Sequence, residues 1–296
     1  MKKQYQIGHV QIELQMPDDI LIPQNMQKFE LPLAAPENIQ TAGKIQMYYK
    51  MEFVPELAVI EKELREEYTV KSELCRDTIR TLNIDNRECR ILNFIGSPEP
   101  YAICFETAEN EIQVWIADGI KEMLIYDPVF VSLLLLEKVM IRNDALILHS
   151  AYMCRDNKAV LFSAPSETGK STQADLWEKY RQTRTINGDR SLLIRDEDGW
   201  YAYGWPVCGS SEICNNEAYP IQAIVMLYQS KENKVERLKG FAMVQKVMSQ
   251  ITINMWNSEF QMKAMDLIEQ LVGEIPVYEL GCDISEEAVE CLEKVL

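Results

Sequence analysis

The chain is short of positive charge, of glycine and of histidine, and it has no long apolar run. Lys and Arg total 30 against 46 Asp and Glu, a formal charge of −16, and the pI is near 4.7. That balance argues against duplex nucleic acid or an anionic membrane as the main partner. It leaves a nucleotide open, because one lysine and a helix N-terminus make a local positive seat. The longest apolar run, 129–141, contains Glu137 and Lys138 and is too short to cross a bilayer. The 8 cysteines include no C-x-x-C pair, which removes the usual zinc and thioredoxin-like patterns. MKKQYQIGHVQIEL alternates polar and apolar residues and lacks a secretory apolar core. Reduced thiols and a soluble, cytoplasmic protein are therefore expected. With only 2 histidines, His9 and His149, imidazole chemistry has few places to reside. There is no internal repeat and no low-complexity segment.

What is present is enough apolar residue, 47% of 296, for one large or two ordinary domains. Up to about Asp127 the chain is a series of short alternating runs such as 9–14, 91–95 and 112–116, separated by turn residues. That half reads as mostly antiparallel β. Residues 61–67 fit either a short helix or an exposed strand. Asp127-Pro128 predicts a helix start, with proline in the first turn, running to about Arg142. A β-rich domain over 1–127 and a second domain over 128–296 follow. The second half predicts strands at 146–151, 159–162, 183–186, 191–194, 199–203 and 223–227. Amphipathic helices are expected at 241–251 and 259–272. A C-terminal helix over 285–296 would be capped by Ser285, with Glu286 and Glu287 in its first turn. The fold class is α/β, or α+β for the whole chain.

The segment AVLFSAPSETGKS at 159–171 carries most of the functional information. An apolar strand, a small polar turn, Gly169-Lys170-Ser171 and a helical face of Ala174, Leu176, Trp177 and Tyr180 follow in the order a phosphate-cradling loop requires. Ser166, Glu167, Thr168, Gly169, Lys170, Ser171 and Thr172 would surround the phosphates of ATP. Lys170 would reach the β- and γ-phosphates, and the Ser171 hydroxyl would ligate Mg²⁺ or Mn²⁺. The alternative is an ordinary β-turn-α connection with a solvated lysine. The full pattern G-x-x-x-x-G-K-[ST] has Ala164 in its first glycine position.

Two further residues complete a constellation. Asp189 follows an apolar strand and a glycine, where a metal-holding carboxylate sits beside such a loop. His149 ends a strand ahead of it, as a second metal ligand or an acid/base partner. Taken singly, His149 also reads as a hydrogen-bonded strand histidine, and Asp189 as a turn residue of Asn-Gly-Asp. Arg190 stands either against transition-state charge or in a salt bridge.

The order Leu148-His149-Ser150-Ala151, hairpin, 161–171 and Gly188-Asp189 resembles the nucleotide-binding core of HPr kinase/phosphorylase and of ATP-dependent phosphoenolpyruvate carboxykinase. The resemblance spans about 145–238. It implies a P-loop carboxykinase/HPr-kinase-like C-terminal domain beside the β-rich N-terminal one. It also implies that His149 and Asp189 match metal ligands of the carboxykinases. Gly204 to Glu212, with the sequence GWPVCGSSE, is similar to a segment of HPr-kinase-related proteins from peptide-modification clusters. That likeness places Gly209, Ser210, Ser211 and Glu212 at the acceptor site, where a plain polar turn is the other reading. The departures are Ala164 and Glu167 in place of loop glycines, and Gly188 in place of one aspartate of an HPr kinase pair. The implied function is ATP-dependent transfer of phosphate to a hydroxyl of a peptide, protein or small molecule. A phosphoenolpyruvate carboxykinase-like enzyme, or a nucleotide-binding scaffold without catalysis, are the alternatives. The partners expected are a nucleotide and a hydroxyl-bearing acceptor, with no nucleic acid and no membrane; a homo-oligomer is left open.

Overall fold

The structure is a computed structural model that describes residues 1–31, 45–76, 78–254 and 256–296. It divides into two compact units, Met1–Leu135 and Leu136–Leu296, each built on its own sheet. Among the described residues no helix is long and apolar enough to cross a membrane.

The first unit carries the alternating runs. Its strands are β1 (Lys2–Ile7), β2 (Val10–Gln15), β3 (Glu30–Leu31), β4 (Met47–Val54), β5 (Val70–Arg76), β6 (Ile79–Ile84), β7 (Arg87–Asn93), β8 (Pro100–Ala108) and β9 (Glu111–Ala117). They form one sheet in the order β3-β1-β2-β4-β9-β8-β7-β6-β5. Pairing is antiparallel except at β2–β4 and β4–β9, which are parallel. A four-residue helix α1 (Gln24–Gln27) precedes β3, and 61–67 resolves as helix within α2 (Leu57–Glu67). Its Leu57 and Leu64 bury against Leu82, Ile91, Ile103 and Phe105 of the sheet.

The helix expected to run from Asp127 to about Arg142 is two helices, α3 (Asp127–Ser132) and α4 (Leu136–Arg142). Between them Leu135 takes φ 46°. The cause is local competition for carbonyls: Tyr49 Oη donates to Leu134 O at 2.6 Å and Cys104 Sγ to Leu133 O at 3.5 Å. Acceptors that would continue the helix are thus taken by side chains from the sheet.

The second unit holds β10 (Ala145–Arg155), β11 (Lys158–Ser163), β12 (Arg184–Asn187), β13 (Arg190–Asp196), β14 (Gly199–Tyr203), β15 (Ala218–Gln229), β16 (Lys234–Arg237) and β17 (Val277–Cys282). β10 and β11 form a hairpin through Asp156 and Asn157, with φ 50° and 59°. Two successive left-handed residues are what a two-residue hairpin turn demands, and Asp-Asn accepts it. β11 then pairs parallel with β15, and β15 parallel with β17. The carboxyl ends of three parallel strands therefore lie side by side.

The helices of this unit are α5 (Lys170–Arg181), α6 (Gly240–Met248), α7 (Ser258–Glu274) and α8 (Glu286–Glu293). The apolar run of β11 is buried on both faces, as parallel strands usually are. Ala159 and Leu161 join the core with Val247 of α6 and Leu267 and Leu271 of α7. Val160 and Phe162 join Ala174 and Trp177 of α5 and Val289 and Leu292 of α8. α5 is thereby held against the strand that delivers the loop. Ser285 occupies the N-cap position of α8 without a capping hydrogen bond. Its hydroxyl donates instead to Asp283 Oδ1 at 2.5 Å, which corrects the expected cap.

Candidate functional site

β11 ends at Ser163, whose hydroxyl donates to His149 O of the neighbouring strand at 2.8 Å. The chain then turns through Ala164 to Gly169 into α5. Ala164 is 1% exposed and is not among the residues with positive φ, so this position makes no conformational demand for glycine. Gly169 does make one, with φ 111° at the N-cap of α5. Glu167 has φ 63°, a left-handed geometry that glycine adopts at lower cost.

No side chain caps α5, and its first backbone bond runs from Gln173 N to Gly169 O at 2.9 Å. The amides of Lys170, Ser171 and Thr172 have no acceptor among the described residues. Three free N–H groups at the positive end of a helix dipole can seat an anion. Lys170 is buried and folds back on the loop, its Nζ donating to Ala164 O at 3.1 Å and Pro165 O at 3.2 Å. Burial lowers its pKa; the carboxylate of Asp189 counters that, and Arg190 adds to the lowering.

Asp189 lies across the cleft. Asn187, fully buried, donates through Nδ2 to Trp205 O and Val207 O, at 2.8 and 3.1 Å. Its Oδ1 accepts from the amides of Asp189 and Arg190, at 2.9 and 3.0 Å. The turn Asn187-Gly188-Asp189 is thus fixed by the asparagine side chain. A Cβ on Gly188 would stand 1.9 Å from Ser211 Oγ and 2.3 Å from Ser211 Cβ. The 3-10 turn Gly209–Ser211 lies directly over this glycine and fills the space a side chain would take.

The Asp189 carboxylate has two neighbours, His149 Nε2 at 3.5 Å from Oδ1 and Arg190 Nε at 3.2 Å from Oδ2. Burial alone would raise its pKa. The hydrogen bond from His149 and the charges of Arg190, His149 and Lys170 outweigh that and hold it below the usual carboxylate range. Arg190 also donates from Nη1 to Thr252 Oγ1 at 2.8 Å. It is thus held in a salt bridge with Asp189 and does not line the cleft.

One cleft of about 330 Å³ is lined by His149, Ser166, Glu167, Gly169, Lys170, Ser171, Thr172, Gly188, Asp189 and Ser210. Most of the residues singled out in the sequence meet there. Thr168 lines a second, adjoining cleft. Gly209 and Ser211 sit behind Asp189 and Gly188, and Glu212, with φ 56°, ends their turn; of this group only Ser210 reaches the first cleft. Asn187 was readable as an Asx turn, whereas the walls of the second cleft come together only through the pairing of β15 with β17.

The family model for SynChlorMet cassette protein ScmC matches residues 120–296. No curated protein sequence matches the chain. Among solved structures, the HPr(Ser) kinase/phosphatase from Coxiella burnetii is similar at a TM-score of 0.30 and 9% identity, over 50% of this chain and 91% of that one.

Proposed function

The chain belongs to the ScmC family of SynChlorMet cassette proteins, and we propose from the cleft itself that it carries out ATP-dependent transfer of phosphate to a hydroxyl acceptor, of the HPr-kinase-like type. The observation that carries this reading is one cleft holding the uncapped start of α5 and Lys170 on one side and the His149–Asp189 pair on the other. Phosphoryl transfer asks a protein mainly for positioning and for neutralisation of negative charge. The free amides of Lys170, Ser171 and Thr172 supply both. Lys170 exchanges its two loop carbonyls for phosphate oxygens.

The donor set fits Mg²⁺. Ser171 and Asp189 offer one hydroxyl and one carboxylate on the same cleft. Mg²⁺ commonly takes one or two carboxylates and completes its shell with phosphate and water oxygens. When bound, the ion neutralises charge on the transferring phosphate. His149, oriented by Asp189, accepts the proton of the acceptor hydroxyl. Ser210 borders the side from which the acceptor enters.

One observation favours a second reading, a nucleotide-binding scaffold without turnover: Glu167 puts an exposed carboxylate on the rim of the phosphate seat. Measuring ADP formation from Mg·ATP in the presence of hydroxyl-bearing peptides separates the two. Turnover that falls at least ~100-fold in Asp189→Asn is expected of the transferase. Binding of Mg·ATP with no ADP formed under any acceptor condition selects the scaffold.

A further inference from the structure

Beside the phosphate seat lies a larger cleft of about 530 Å³, lined by Glu167, Thr168, Gly169, Thr172, Gln173, Gln229, Ser230, Lys231, Cys282, Asp283 and Ile284. It shares Glu167, Gly169 and Thr172 with the first, so a ligand with phosphates on α5 extends into it. Its walls are the segments that leave the carboxyl ends of β11, β15 and β17, where open α/β sheets hold their ligands. The volume is within the usual ~300–1,000 Å³ of small-molecule sites.

The chemistry of the walls selects what enters. Asp283 is held rigidly: its Oδ1 accepts from Asn233 Nδ2 at 3.1 Å and from Ser285 N at 3.0 Å, besides the Ser285 hydroxyl. Its Oδ2 bonds to nothing among the described residues. The hydrogen bonds from Ser285 and Asn233 keep this carboxyl below its ordinary pKa, hence ionised. A free carboxylate oxygen repels further phosphate and accepts from hydroxyls. Gln173, 2% exposed, ties α5 to this wall through Nε2, which donates to Asp283 O at 3.1 Å and Cys282 Sγ at 3.2 Å. Its Oε1 is buried without any partner. Ile284, 77% exposed, offers an apolar cover at the rim.

We infer that this second cleft holds the nucleoside half of a ribonucleoside di- or triphosphate, with the ribose hydroxyls on Asp283 and the base beneath Ile284. Inorganic polyphosphate alone would fill only the first cleft. The inference rests on the reading of α5 as the phosphate seat.

The test is calorimetric titration of the full chain with Mg·ATP and, separately, with Mg·tripolyphosphate. ATP should bind at least ~10-fold more tightly, as about 1.4 kcal/mol of nucleoside contact requires. Asp283→Asn and Ile284→Ser should each weaken ATP about fivefold or more and leave tripolyphosphate within about twofold. Ile284 is exposed, so its variant keeps the test valid if Asp283→Asn fails to fold. Equal affinity for the two ligands would overturn the nucleoside assignment and leave the phosphate seat standing. Tighter ATP binding that neither folded variant changes would place the nucleoside elsewhere and overturn it too. If neither ligand binds, the phosphate seat and this inference fall together.

Discussion

Glu167 is the one acidic residue of the loop between β11 and α5. It stands in the loop with φ 63°, where an L side chain costs roughly 1–2 kcal/mol relative to glycine. It also carries a negative charge on the rim of both clefts. Ala164, the other departure from a glycine-rich loop, is conformationally neutral and simply joins the core with Phe162 and Ala174. The two substitutions look alike in sequence and differ in consequence, because only φ separates them. Glu167→Gly should tighten Mg·ATP binding about fivefold by removing roughly 1 kcal/mol of charge repulsion. Glu167→Gln should recover most of that gain, since it removes the charge and keeps the backbone demand. Affinity unchanged in both variants would mean that the carboxylate does not face bound phosphate.

At the scale of elements, the loop, α5 and the turn at Asp189 work as one frame. Trp177 and Ala174 seat α5 on β11, and Asn187 fixes the turn that presents Asp189. The Gly209–Ser211 turn rests on Gly188 with no room for a methyl group. Gly188→Ala should therefore cost about 2 kcal/mol of stability, as overpacking usually does. At ~2–4 °C per kcal/mol this lowers Tm by about 6 °C, read by calorimetry. A Tm within about 1 °C of the parent would show that the turn moves aside freely.

The sequence exposed some of these elements and hid others for physical reasons. β11, the loop and α5 were legible because an apolar run buried on both faces and Gly-Lys-Ser are local signals. The two helices α3 and α4 read as one because no glycine or proline interrupts the sequence after Pro128, while the break is set by Tyr49, 85 residues from Leu134. β17 was invisible, since VYELGC is short and acquires its meaning from parallel pairing with β15. β16, with the charged sequence KVER, borders it on the outer side and has only one exposed-strand signal to offer. The walls of the second cleft at Asp283 and Lys231 went unread for the same reason.

For the whole molecule, the question is how a chain of net charge −16 would hold the polyanion proposed for it. The general field of the protein opposes it. Attraction must come from a local seat, and the structure gathers one in the second unit: the free amides of Lys170 to Thr172 and the buried ammonium of Lys170. The most direct measurement is calorimetric titration of the parent chain and of Lys170→Ala with Mg·ATP. The account predicts micromolar binding by the parent and loss of at least ~100-fold in the variant, since a buried charge-assisted contact of about 3 kcal/mol is removed. Equal affinity in the two proteins, or no binding by the parent, would contradict it.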